Sequence, residues 1–232
     1  MSTTKTTAKT TTKTTTKTTS AARYLPEDRR LDSLKSAAEH CRGCTLFQDA
    51  TQTVFGHGPP GAPIMLVGEQ PGDQEDRAGL PFVGPAGRLL ARALDEADID
   101  PGMTYQTNAV KHFKFTRKDG KRRIHQKPSR TEVVACRPWL LAEIAAVGPQ
   151  IILCLGATAA QALMGPSFRV STERGHVVAL PSEADLAFDP EPSVVATVHP
   201  SAVLRDRSER HDEAYSLFVD DLRSARTALV SG

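Results

Sequence analysis

The stretch from Gly68 to Gly87 reads GEQPGDQEDRAGLPFVGPAG, and it follows a compact apolar run, Ile64-Met65-Leu66-Val67. That run has the length and composition of a buried strand, bounded by Pro63 and Gly68. Pro71 and Gly72 then force a turn into a segment crowded with Glu69, Gln70, Asp73, Glu75 and Asp76. After Pro85 the pattern becomes helical: Leu89, Leu90, Ala93, Leu94 and Ala97 recur on one face, with Pro85 suited to a first turn. A strand, an acid-rich Gly/Pro loop and a helix set polar groups at the carboxyl edge of a sheet, where α/β folds bind ligands. A loop this long and this polar is expected to carry function rather than only to connect.

The units downstream repeat the alternation. Thr104 to Val110 reads as a second strand, with the polar Asn108 near its end. Ile151 to Leu155 is a buried strand followed by Gly156 and an Ala157–Met164 helix, and Val194 to Val198 is another strand, running into His199-Pro200-Ser201. Thr131 to Val147 is helical, with Pro138 expected to kink or split it. A helix from about Asp212 to Leu229 closes the chain, and the acidic, Pro-bearing segment Pro181–Pro192 reads as a surface loop. Strands near 64, 105, 151 and 194 alternating with helices predict a three-layer α/β/α fold around a mostly parallel, four-stranded sheet. Gly56-His57-Gly58-Pro59-Pro60-Gly61 spells the dinucleotide fingerprint G-x-G-x-x-G, but a strand follows it instead of preceding it. Its two prolines also remove amides that a pyrophosphate would need.

The four cysteines are Cys41, Cys44, Cys136 and Cys154. Cys41 and Cys44 form a C-x-x-C at the end of a predicted helix, Leu31–His40. Disulfides are not expected in a cytosolic chain of this size, and a thioredoxin-type pair would follow a strand. A four-sulfur metal site uses every cysteine, and spacing leaves zinc and an iron–sulfur cluster both open. Cys154, inside an apolar run, also reads as a core residue. Residues 114–130, KFTRKDGKRRIHQKPSR, carry eight basic side chains against Asp119 alone, without apolar periodicity. This predicts a basic loop turning at Asp119-Gly120, of the kind that contacts phosphates. His125 sits between Arg123 and Lys127, cations that disfavour imidazolium and keep the ring neutral and nucleophilic.

The chain has 232 residues and a formal charge of +2, with 29 basic and 27 acidic side chains. Residues 2–20 hold Lys5, Lys9, Lys13 and Lys17 and no acid, so the remainder is 25 basic against 27 acidic, a net of −2. Any nucleic-acid surface must therefore be local. Residues 1–23 are expected to form a disordered Thr/Lys tail, able at most to hold DNA phosphates loosely, and 24–232 one domain. No apolar run approaches the roughly 18 residues of a membrane span, and no apolar leader is present. The chain is expected in the cytosol, without membrane contact.

Gly68-Glu69-Gln70-Pro71-Gly72 after a strand, His199-Pro200-Ser201 after a later one, and four cysteines in this order resemble the iron–sulfur branch of the uracil-DNA glycosylase superfamily, from about Leu31 to Leu229. GEQPG in place of the usual GEAPG, and the extra segment Lys121-Arg122-Arg123-Ile124-His125, are similar to the UdgX subgroup, which traps DNA covalently. The resemblance implies a [4Fe-4S] cluster on Cys41, Cys44, Cys136 and Cys154. It implies a monomer acting among bacterial DNA, preferably on single strands containing uracil, with free uracil as product. Asn108 would read the flipped base, since an amide both donates to O4 and accepts from N3–H, and Phe82 would stack on it. His199 would stabilise the leaving uracil anion. His125 would attack C1′, with Glu69 orienting or deprotonating it and Gln70 and Asp73 positioning the loop or filling the place of water. Asp76, Arg123 and Arg205 are further expected DNA-binding residues, Arg205 filling the vacated stack. A multiple-turnover glycosylase and a non-catalytic, metal-bearing recognition module are the competing expectations.

Overall fold

The computed structural model describes residues 20–118, 122–181, 188 and 191–231. The expected tail, the Asp119-Gly120 turn, Lys121 and most of the 181–192 loop lie outside the described residues. In chain order the elements are α1 (Leu31–Ala38), β1 (Ile64–Gly68), α2 (Asp73–Ala78), α3 (Pro85–Glu96), β2 (Thr104–Asn108), β3 (Phe115–Lys118) and β4 (Arg122–His125). There follow α4 (Arg130–Val147), β5 (Ile151–Leu155), α5 (Ala157–Met164), α6 (Val170–Glu173), β6 (Val177–Ala179), β7 (Ser193–Thr197), α7 (Pro200–Arg205) and α8 (His211–Ser231). Packing already reaches back to Ala21, which is buried and donates its N–H to the Ala135 carbonyl at 2.7 Å.

The main sheet runs β2-β1-β5-β7-β6. It has five strands where four were expected. The first four are parallel and the short edge strand β6 pairs antiparallel with β7. Alternation along each strand divides the interior into two cores. Met65, Val67, Ile152, Cys154, Val194 and Ala196 face the layer of α1, α4 and α5. Ile64, Leu66, Ile151, Leu153, Leu155 and Val195 face the layer of α3 and α8. Both faces are covered, which is why the strands read as continuous apolar runs.

The chain leaves β1 for β2 on one side and later returns to β5 on the other. The carboxyl ends of β1 and β5 therefore diverge at a switch point, where α/β sheets open a crevice.

Three local corrections follow from the geometry. The acid-rich loop contains a helix, α2, whose first turn holds Asp73, Glu75 and Asp76, the charge that a helix N-terminus favours. Glu75 fastens both ends of the loop, accepting from the Gly72 N–H at 3.1 Å and the Gly84 N–H at 2.7 Å. Pro138 does not split α4, which is one helix of 18 residues. Its missing N–H would have served the carbonyl of Val134, a residue 57% exposed, where water can take over. The basic segment is an antiparallel hairpin rather than a loop, with Phe115 opposite His125 and Arg117 opposite Arg123.

Candidate active site: a sheet-edge cleft faced by a clasped hairpin

A cleft of about 640 Å³ opens at the carboxyl edge of β1, β2, β5 and β7. Its deep end is made by the fold itself. At Gly68 an added Cβ would lie 2.3 Å from Asn108 Oδ1 and 2.8 Å from Phe82 Cζ, so only a glycine lets amide and ring converge there. Phe82 has a left-handed backbone, φ 55°, and is held against α3, where a Cβ on Gly87 would meet the Phe82 carbonyl oxygen at 1.7 Å. A non-glycine residue in this region stores strain that the surroundings must impose.

Asn108 rests on a buried charge network that sequence reading missed. Lys111, 1% exposed, donates from Nζ to the Asn108 carbonyl at 2.8 Å, to Thr107 Oγ1 at 2.7 Å and to Glu143 Oε2. Glu143, wholly buried, also accepts from Tyr105 Oη, Thr107 Oγ1 and the Gly56 N–H, each at 3.0 Å. Every ammonium proton is used. A buried ion pair is tolerable under that condition, and losing one partner would strand the other charge. Nothing in the apolar surroundings of Glu143 along α4 marks it in sequence.

His199 caps α7. Its Nδ1 accepts the Ser201 N–H at 3.1 Å and lies 2.8 Å from Ser201 Oγ. Burial first, then the neighbouring His125 and Arg205, push its pKa down to about 4. A neutral ring whose Nδ1 accepts a backbone donor carries its proton on Nε2. His199 is thus a fixed, uncharged donor on the cleft wall, suited to an oxyanion.

His125 arrives from the other side, at the end of β4. Its Nε2 is 3.5 Å from Glu69 Oε1, near enough for attraction and short of a hydrogen bond. Thr158, at the start of α5, donates to the other Glu69 oxygen. Burial lowers the His125 pKa, Glu69 opposes that shift and Arg205 adds to it. The shift favours the neutral ring, and its causes are partial burial and Arg205, not Arg123 or Lys127.

Two clasps dock the hairpin that carries His125. Gln70, 6% exposed, donates to the carbonyls of Lys114 (3.2 Å) and Gln126 (3.0 Å) and accepts the Lys114 N–H (3.1 Å), one grip on each side of the hairpin. Arg123 reaches inward beside the stacked rings of Phe113 and Phe115, 5.4 and 5.1 Å from their centroids, and pairs with Asp73 and Asp76 on α2. Glu69, Gln70, Asp73, Phe82, Asn108, His125, His199 and Arg205 all line the one cleft. Arg123 and Asp76 do not. Both were expected to bind DNA, and both are spent on each other, with the Arg123 side chain 7% and Asp76 0% exposed. Arg205 is exposed at the end of α7 beside Leu204, an apolar side chain 43% exposed on the same rim.

A family model described as the uracil DNA glycosylase superfamily matches residues 55–223. The chain belongs to that superfamily. It is 36% identical over 175 residues to a type-4 uracil-DNA glycosylase of Pyrobaculum aerophilum, covering 75% of this chain and 85% of that one. It is 32% identical over 198 residues to a type-4 uracil-DNA glycosylase of Thermotoga maritima, covering 85% of this chain and 93% of the relative. A type-4 uracil-DNA glycosylase of Sulfurisphaera tokodaii matches at 35% over 179 residues, 75% of this chain and 76% of its own length.

In this uracil-DNA glycosylase superfamily member the cysteines are only partly gathered. Cys41, Cys44 and Cys136 line one small cavity with Lys111, His112 and Trp139. Cys154 does not join them: it lies mid-strand in β5, wholly buried, opposite Val67 and Ala196. Cys154, expected as the fourth ligand, does not line this cavity; His112, 5% exposed, does, and its Nε2 is 3.0 Å from Thr53 Oγ1. Among the described residues, no three such side chains stand close enough to hold a single metal ion. The ligands of a cluster bind different irons and so stand further apart. Amides already point at the sulfurs, from Gly43 to Cys41 at 3.4 Å and from Lys111 to Cys136 at 3.3 Å. The Trp139 indole N–H is buried without a partner on the same wall. Burial pushes the Cys136 thiol up to about 12, with Lys111 opposing, so its thiolate needs a cationic centre to persist. The donor set fits an iron–sulfur group better than it fits nothing.

Proposed function

We propose that this protein excises uracil from DNA and captures the resulting sugar on His125, in the manner of the UdgX subgroup. One observation carries the reading: the His125 imidazole, on a hairpin docked by Gln70 and Arg123, faces Glu69 in the cleft that also holds Asn108, Phe82 and His199. The flipped uracil stacks on Phe82, and the Asn108 amide pairs with its O4 and N3–H. Cytosine presents the opposite donor pattern and is refused. As the C1′–N1 bond breaks, its electron pair leaves with uracil, and the Nε2–H of His199 stabilises the anion at O2. A ring nitrogen of His125 donates its lone pair to C1′, and the remaining N–H proton of the ring passes to Glu69. Uracil takes its proton from solvent. The product is an imidazole bonded to the sugar, with no good leaving group at neutral pH, so each molecule acts once.

Cys41, Cys44, Cys136 and His112 would hold a [4Fe-4S] cluster, which supplies structural support behind Lys111 and Asn108 and takes no part in the bond exchange. The decisive experiment incubates the protein with single-stranded DNA containing uracil and separates the products under denaturing conditions. A heat-resistant shifted band with one uracil released per protein is expected. Free abasic DNA in many-fold excess over protein identifies a multiple-turnover glycosylase. Binding without uracil release identifies a recognition module. Absorption in the visible range, lost on changing His112 to Ala, tests the cluster and its fourth ligand.

A further inference from the structure

A second groove, of about 360 Å³, runs between the start of α4 and α5. It shares Lys127 and Thr158 with the cleft, so it begins where the cleft ends, on the far side of the hydroxyl that grips Glu69. Its composition is one-sided. Lys127, Arg130 and Arg137 line it, and no acidic residue does. The nearest acid on the first turn of α4, Glu132, is already committed to Lys114 at 2.9 Å and to the Ser129 N–H at 2.6 Å. Lys127 and Arg130 are exposed, while Arg137 is anchored through Nε on the Ala162 carbonyl at 2.7 Å. The floor is apolar, and Val134 stands 57% exposed on it beside Pro166.

Cations above an apolar floor fit a ligand that has both an anionic group and a flat apolar face. A nucleotide has both, and a strand entering the cleft must place its next nucleotide within reach of the cleft's wall. We propose that the groove takes the nucleotide adjacent to the flipped one on the same strand, its phosphate on Arg130 and Lys127 and its base against Val134 and Pro166. This rests on the reading of the cleft as a uracil-DNA site. An unpaired base can turn into such a groove and a paired one cannot, so the groove also supplies a physical reason to favour single strands.

The test compares the protein with an Arg130→Gln/Val134→Ser variant, both changes lying on the exposed face of α4. Uracil release is measured with protein in excess, so that a single round is read. On a long single strand, the protein concentration giving half-maximal rate should rise roughly three- to tenfold while the plateau rate, which reports an intact cleft, stays put. The dependence of log affinity on log salt should flatten by about 0.7 for the lost phosphate contact. With uracil at one end of the strand, the variant should lose this defect for one polarity and keep it for the other, because only one neighbour occupies the groove. Equal half-maximal concentrations for variant and parent on the long strand overturn the groove, as do equal defects with both polarities. Failure of the unaltered protein to release uracil from any strand overturns instead the reading of the cleft.

Discussion

The two walls of the cleft are built in different ways. Asn108 ends β2, His199 caps α7 and Phe82, in the turn before α3, is held against that helix, so the sheet and its packed helices fix them. His125 stands on a two-stranded hairpin outside the main sheet, and side chains fix it: Gln70 at its base and Arg123 along its inner face. The first wall comes with the fold, while the second is fastened onto it. Base recognition and sugar capture should therefore be separable by mutation.

The largest effect is expected from His125→Gly. The covalent band should vanish, and water admitted into the space should turn uracil release into repeated turnover. Persistence of the band would give the capture to another nucleophile. Next, His199→Ala should slow uracil release on the order of 10²–10³-fold, the usual cost of one oxyanion donor. Adduct formation should fall with it, since nothing can be captured before the base departs. An unchanged release rate would remove His199 from the chemistry. A smaller and more selective effect belongs to Gln70→Ala, which frees the hairpin base without touching the deep wall. Adduct formation should slow roughly ten- to hundredfold, the scale of a small misplacement, while uracil release changes far less. If both rates fell together, the two walls would be one unit after all.

The smallest effect concerns pH. Burial holds the His125 pKa below its ordinary 6.5, so the reactive neutral ring survives acidification through that value. Adduct formation should stay level as pH falls to 6.5 and decline only in more acidic solution. A midpoint at or above 6.5 would mean that the cleft does not desolvate this half-exposed ring.

The sheet-edge wall was largely legible in the sequence, and the hairpin only in part. Buried parallel strands announce themselves as Ile64–Val67 and Ile151–Leu155, because both faces are covered. The residue after such a strand is then a candidate by position alone, as with Glu69 and His199. Strands β3 and β4 gave no such signal: nearly every residue is charged or polar, and their pairing depends on distant partners. Arg123 read as a DNA contact because sequence cannot tell a solvated arginine from one folded back onto Asp73 and Asp76. Strand β6 spans only Val177–Ala179, too short for any periodicity. His112, buried beside the cysteines, carries no motif that marks it in sequence. It lies four residues past the end of β2, next to Lys111, in a segment whose side chains are buried. Cys154 carried both readings in sequence, and the structure places it wholly buried in the middle of β5.

The grip of Gln70 on both flanks of the hairpin has a consequence for how such a protein could arise or be rebuilt. An alanine there could not reach Lys114 or Gln126, and a glutamine without the hairpin would be a buried amide with nothing to hold. Residue 70 and the hairpin flanks at Lys114 and Gln126 thus depend on each other for their hydrogen bonds. Anyone grafting this hairpin onto another scaffold would have to move the socket together with the plug.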